Sequence, residues 1–253
     1  YLTVKHYTAQ CKTHIVPSLG AVKLAELTAP QIQAFYNGLL RDGMAPKSVR
    51  NIHGILTKCL STAVSVEYIR DNPASRVTLP RVEKKEIHPL TDEQVKDFLR
   101  VSAGDEYEIL LKVILFTGLR ESEAIGLAWD CVDFKAGTVK VCKQLQKRPL
   151  SDGGFTFAPL KNDKTRTLRP APFVLELLER RKREQAEQRL KAWELWVGWQ
   201  TTDQQKSALV FTTATGSNLS PQTVYNHYKK LASQIGAPDS RVHDLRHTFA
   251  VLS

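Results

Sequence analysis

Two short segments of the 253-residue chain carry side chains whose type and spacing suit one kind of chemistry. In Arg241-Val-His-Asp-Leu-Arg-His-Thr-Phe-Ala250, His243 and Arg246 stand three residues apart, so on a helix both project from one face. In Thr117-Gly-Leu-Arg-Glu-Ser-Glu-Ala-Ile-Gly-Leu127, Arg120 follows an apolar helical run and a glycine break. Guanidinium groups bind phosphate oxygens through paired hydrogen bonds and do not lose their charge. Two arginines and a histidine are therefore suited to holding a phosphodiester and stabilising charge that develops on it. Each segment alone has a plainer explanation. An arginine after Thr-Gly-Leu can cap the preceding helix, and an H-x-x-R pair can be a packed histidine beside a surface ion pair.

The elements that must position these residues read as mainly helical. Thr3 to His14 forms a first helix, stopped by Pro17 and Gly20. Thr28 caps a second, with Pro30 in its first turn, where a missing N–H costs little. Leu27, Ile32, Phe35, Tyr36, Leu39 and Leu40 recur at helical spacing, and Asp42-Gly43 ends the run. Pro46 opens a third helix whose apolar face is Val49, Ile52, Ile55, Leu56, Leu60 and Ala63; the chain breaks by Asn72-Pro73. Residues 76–88 mix proline with charge and lack periodicity, which marks a linker between a helical domain (1–75) and a second domain (89–253). Thr91 and Gln94 form a capping-box pair ahead of Val95, Phe98 and Leu99. The apolar helix Ile109 to Phe116 leads into the Arg120 segment. Between Val132 and Leu168 the pattern changes to period two, as expected for a small antiparallel sheet. A long helix then runs from Phe173 to about Trp196, with Trp193, Trp196 and Trp199 read as packing residues ahead of a base-stacking platform. Ser220 caps another helix, with Pro221 at its first position.

Composition narrows the function classes. The chain is 42% hydrophobic and 25% charged, as in a globular protein, and no apolar run approaches a membrane span. Net charge is +10, which suits a polyanionic partner. Residues 1–80 hold nine Lys/Arg against four Asp/Glu, about half of that excess. Lys47, Arg50 and Lys58, near the polar face of the third helix, are candidates for phosphate contacts, against the alternative of a merely solvated face. Cys11, Cys59, Cys131 and Cys142 include no C-x-x-C pair and read as reduced structural residues, with no metal site expected. The start, without an initiator methionine or signal-peptide core, reads as an internal cut.

Together, HDLRHTFA and TGLRESEAIGLAW closely resemble the two signature boxes of the tyrosine recombinase, or phage-type integrase, family. The resemblance covers nearly the whole chain. Residues 1–75, with Ile15-Val-Pro-Ser-Leu-Gly20 and Asp71-Asn-Pro-Ala-Ser75, are similar to the family's SAM-like core-binding domain; residues 89–253 are similar to its α+β catalytic domain. The resemblance implies that Arg120, His243 and Arg246 are catalytic, that Glu123 supports Arg120, and that His247 packs behind the site. It also implies a lysine that protonates the leaving 5′-oxygen. Lys161 ranks ahead of Lys164 in the same hairpin. The activity implied is site-specific breakage and rejoining of duplex DNA through a 3′-phosphotyrosyl link, integrating or excising a mobile element. Neither cofactor nor metal is implied, because the covalent link conserves bond energy and the arginines do the electrostatic work. The implied partners are double-stranded DNA, clamped between the two domains, and further copies of the chain, from a dimer to a tetramer on a Holliday junction. An accessory DNA-bending protein is compatible with this, and the setting implied is the bacterial cytoplasm, at the nucleoid when DNA is bound. The family's nucleophilic tyrosine should follow the second box, but Tyr1, Tyr7, Tyr36, Tyr68, Tyr107, Tyr225 and Tyr228 all precede His243. The chain alone is therefore expected not to cleave. The alternatives are a non-catalytic DNA-binding protein that occupies recombination sites, and type IB topoisomerase-like relaxation.

Overall fold

The computed structural model describes residues 2–83, 89–149, 151, 154–160 and 164–252. The chain divides into two compact units, Tyr1–Lys85 and Glu86–Ser253. In the first, α1 (Leu2–Gln10) passes into a π-helical turn, Cys11–Ile15, and then α2 (Val16–Leu19). The expected break at Pro17 does not occur. The wider turn falls just where Pro17 withholds a hydrogen-bond donor, and the chain stays helical to Leu19. Helix α3 (Ala29–Arg41) starts at Thr28, whose backbone N–H donates to Gln31 Oε1 at 2.8 Å. Helix α4 (Pro46–Ser65) buries Val49, Ile52, Ile55, Leu56, Leu60 and Ala63. Most of this face packs against Ile32, Phe35, Tyr36 and Leu39 of α3 in one apolar core. Asn72 then caps a short 3-10 turn, Pro73–Arg76, and ties it to α4 by donating to the Thr57 carbonyl at 3.0 Å. Residues 77–80 also lie against this unit: Thr78 N–H donates to Gln33 Oε1 at 2.8 Å, and Arg50 donates to the Pro80 carbonyl at 3.2 Å. Residues 84–88 of the expected linker fall outside the described residues.

The second unit surrounds α6 (Glu108–Thr117), which is buried almost all round. It is preceded by α5 (Asp92–Val101), capped by the reciprocal Thr91–Gln94 pair, and followed by α7 (Glu121–Ile125). Instead of one sheet, the described residues form two small antiparallel ones. In the first, β1 (Val132–Asp133) and β5 (Arg166–Leu168) flank β2 (Thr138–Val141), with Val139 opposite Leu168 and Val141 opposite Arg166. In the second, β3 (Gln144–Lys147) pairs with β4 (Phe155–Ala158). The long helix α8 (Pro172–Ala192) ends a turn earlier than expected, and Trp193–Leu195 is a 3-10 turn. Trp196 and Trp199 pack as expected, but Trp193 is 76% exposed. On α8, Arg181 and Gln185 are buried because their donors meet the carbonyls of Leu209, Val210 and Thr212. After α9 (Thr202–Ser207), α10 (Pro221–Gln234) starts at Ser220. The Ser220 hydroxyl makes no capping bond; it accepts from Lys147 Nζ at 3.3 Å. The last helix, α11 (Val242–Leu252), packs on α6. All four cysteines are free, with the Cys131 and Cys142 sulfurs 3.5 Å apart. Among the described residues no helix is long and apolar enough to cross a membrane.

Candidate functional site

Arg120 stands at the N-cap of α7, one residue past the segment Gly118-Leu119 that closes α6. Gly118 has φ +62°, and a Cβ placed there would lie 2.5 Å from Phe249 Cδ1. Only glycine takes this conformation readily and lets α11 approach so closely. The close approach brings Arg246 to the Gly118 carbonyl, which accepts from its Nη1. Two arginines separated by 126 positions in the chain thus meet at the end of α6.

Between them lies Glu123, with its side chain 1% exposed. Its Oε1 accepts from Arg120 Nη1 at 2.8 Å, and its Oε2 accepts from the Arg120 backbone N–H at 2.9 Å. A third arginine completes the cluster. Arg166, the first residue of β5, donates to Oε2 at 2.6 Å and to Oε1 at 3.1 Å. Burial alone would raise the Glu123 carboxyl, but the hydrogen bonds from Arg166 and Arg120 override it and hold it at about 2. Burial and the nearby Arg120 push the Arg246 guanidinium down from its ordinary range, while Glu123 opposes them. One negative charge thus lies among three positive ones. That leaves a net positive site able to take an anion.

His243 lies one turn before Arg246 on α11 and is exposed. Partial burial, then the neighbouring His247 and Arg246, lower its pKa and favour the neutral imidazole, which can accept a proton. The His243 and His247 rings meet edge-on, centroids 4.8 Å apart. Asp244, between the two signature residues, faces inward and accepts from the Arg241 backbone and guanidinium, which anchors the start of α11.

The structure therefore brings together Arg120, Glu123 and Arg246, with His243 and His247 on the same helix as Arg246. Lys161 lies outside the described residues. Lys164 is exposed, two positions before Arg166. Lys47, Arg50 and Lys58 belong to the first unit and are exposed along α4. Sequence reasoning treated Arg166 only as part of a strand. The one signal was its place in the Thr165-Arg-Thr element near the candidate lysines. Glu121 was also passed over. Its Oε1 is buried without a partner among the described residues, and burial pushes its carboxyl up to about 7. Among the described residues no group of three or more His, Cys, Asp or Glu could hold a metal ion.

Known proteins share this architecture. The tyrosine recombinase XerC-like protein of Caldanaerobacter subterraneus subsp. tengcongensis is 26% identical over 98% of the chain and 66% of its own length. The integrase of Mycobacterium phage L5 is 24% identical over 98% of the chain and 62% of its own length. The chain thus spans just under two thirds of the length of these curated relatives. Among solved structures, the Tn1549 transposon integrase in complex with a circular intermediate DNA has the same fold. Its TM-score is 0.82 at 18% identity, over 100% of this chain and 80% of that one. The lambda integrase tetramer bound to a Holliday junction matches with a TM-score of 0.66 at 19% identity, over 98% of this chain and 63% of that one. Residues 1–40 match the phage integrase N-terminal SAM-like domain. Residues 82–252 match the Phage integrase family, to which the chain belongs.

Proposed function

We propose that the chain is the DNA-binding and phosphate-holding part of a site-specific recombinase that breaks and rejoins duplex DNA through a 3′-phosphotyrosyl intermediate, integrating or excising a mobile element. The observation that carries this reading is the meeting of Arg120 and Arg246 across a buried Glu123. In this reading the two guanidinium groups stabilise charge on the non-bridging oxygens of the scissile phosphate, where fixed donors act without reorganisation. His243, neutral at pH 7, anchors the phosphate or assists proton transfer. Lys161, with Lys164 as the alternative, protonates the departing 5′-oxygen. Lys47, Arg50 and Lys58 contact the phosphate backbone, and several copies of the protein act together on the DNA.

The nucleophile is not one of the chain's described tyrosines. Tyr36 and Tyr228 are fully buried, and burial raises both phenols, Tyr228 to about 12. Tyr228 Oη is also bonded to Ser240 Oγ at 2.6 Å. Tyr107 is buried, and Tyr7, Tyr68 and Tyr225 precede the second signature segment. We therefore assign the nucleophile to a segment outside these 253 residues. A nicked suicide duplex carrying the target site tests this. Residues 1–253 should bind it without forming a denaturant-resistant adduct, and a longer chain with the downstream segment should form one. An adduct made by residues 1–253 alone would refute the assignment.

A further inference from the structure

Arg166 has no part in the chemistry proposed above, yet among the described residues it makes the shortest side-chain contact to Glu123, 2.6 Å from Nη2 to Oε2. Its second donor, Nη1, reaches Oε1 at 3.1 Å, so the guanidinium and carboxylate face each other as two parallel forks. The same carboxylate holds Arg120 by its side chain and its backbone N–H. Because the Glu123 side chain is 1% exposed, it cannot turn to water when one partner leaves. Arg166 is itself fixed by the β2–β5 ladder, where it pairs with Val141. Arg120, by contrast, has 39% of its side chain exposed and no second carboxylate partner among the described residues.

We propose that Arg166 is a positioning residue of the phosphate site, aligning Arg120 through Glu123 without touching DNA. The proposal rests on reading Arg120 as a phosphate ligand. The physical argument concerns geometry more than charge. With Arg166 present, both Glu123 oxygens are engaged from the β5 side, Oε2 also takes the Arg120 backbone N–H, and the Arg120 guanidinium reaches only Oε1, by a single Nη1 bond. Its other donors stay free to point at a phosphate. Without Arg166, the buried carboxylate has spare acceptors and Arg120 as its one remaining hydrogen-bonded cation. It closes its own fork on Arg120 and draws that guanidinium inward. A displacement of about 1 Å at such a group costs on the order of 10²-fold in rate. Lysine at position 166 would restore the charge but not the planar fork.

Single-turnover cleavage of the nicked duplex, by a chain that includes the nucleophile, tests the proposal. Arg166→Met should cleave about 10–100-fold more slowly, with duplex affinity changed only a few-fold. Arg166→Lys should recover part of the rate. In a Glu123→Gln background, Arg166→Met should add little, because both act through one carboxylate. The pH profile separates positioning from mere stability. Glu123 faces Arg120 from α7, Arg166 from β5 and Arg246 from α11, and loss of one guanidinium partner should move its titration up by about 1–3 pH units. Arg166→Met should therefore show an acid-side loss of rate at a higher pH than the wild type. Thermal melts fix the assay temperature below the transition of every variant, and Arg166→Lys carries the test if Arg166→Met does not fold. Full-rate cleavage by Arg166→Met beside slow Arg120→Lys overturns the positioning role alone. So do fully multiplicative losses in the double variant. Full-rate cleavage by Arg120→Lys overturns the phosphate reading, and the positioning role with it.

Discussion

A buried carboxylate among three guanidinium groups persists because each of its oxygens is engaged by more than one donor. Glu123 accepts two bonds from Arg166 and two from Arg120. Its folded pKa of about 2 lies below the ordinary 4.5, so the sign of the linkage follows. The carboxylate's contribution to stability is fully present above about pH 4.5 and is lost as pH falls toward 2. Glu123→Gln has no such titration, and it leaves the Arg120 and Arg166 guanidinium donors facing a buried amide with one acceptor oxygen. At pH 7 the variant should be less stable by on the order of 2 kcal/mol. That difference should shrink as the pH of denaturation is lowered from 4.5 toward 2. Denaturant titrations of both proteins across that range check this, and a pH-independent difference contradicts it. His243 and Arg246 were legible in the sequence because their relation is local, three positions along one helix. Arg166 was not. It lies 43 positions from Glu123, and only the pairing of β5 with β2 carries it there.

The junction of α6 with α11 depends on one glycine. Gly118 ends α6 in the left-handed region, and its carbonyl receives Arg246 while Phe249 closes over the place of a side chain. Gly118→Ala combines a left-handed backbone, about 1–2 kcal/mol for an L-residue, with a contact that forces Phe249 to move. We expect a loss of at least about 2 kcal/mol and a melting temperature lower by about 4–8 °C. An unchanged melting temperature would show that the junction yields freely. Elements set by local pattern were readable in advance. All six apolar positions read for α4 are buried, and Thr91 and Gln94 form their reciprocal cap, since each depends on residues within a turn or two. The misreadings involve elements whose outcome depends on distant partners or on neighbouring backbone geometry. Ser220 stands at the N-cap of α10 as read, but its hydroxyl accepts from Lys147 Nζ, 73 positions away, instead of bonding the helix's first turn. Trp193 sits at φ +46° past the end of α8 and turns outward, so tryptophan spacing alone misplaced it. The π turn before Pro17 lets a helix continue where proline usually ends one.

At the scale of the whole molecule, the charge of +10 is shared between a helical unit with a basic helix face and a unit with a cluster of arginines. Binding of duplex DNA by residues 1–253 should weaken steeply with salt. The log–log slope should correspond to several neutralised phosphates, and a flat response between low and physiological salt would remove DNA as the partner. Affinity alone does not separate a recombinase from a protein that only occupies a site. The distinction lies in whether the arginine cluster acts more strongly on the transition state than on bound DNA. The most direct measurement pairs duplex affinity with the single-turnover rate of covalent adduct formation for wild type and Arg120→Lys, in a chain that includes the nucleophile. Lysine keeps the charge but loses the planar fork. Affinity should stay within a few-fold while the rate falls by about 10²–10³. Adduct formation at the wild-type rate by Arg120→Lys would contradict the assignment of this cluster as the phosphate site.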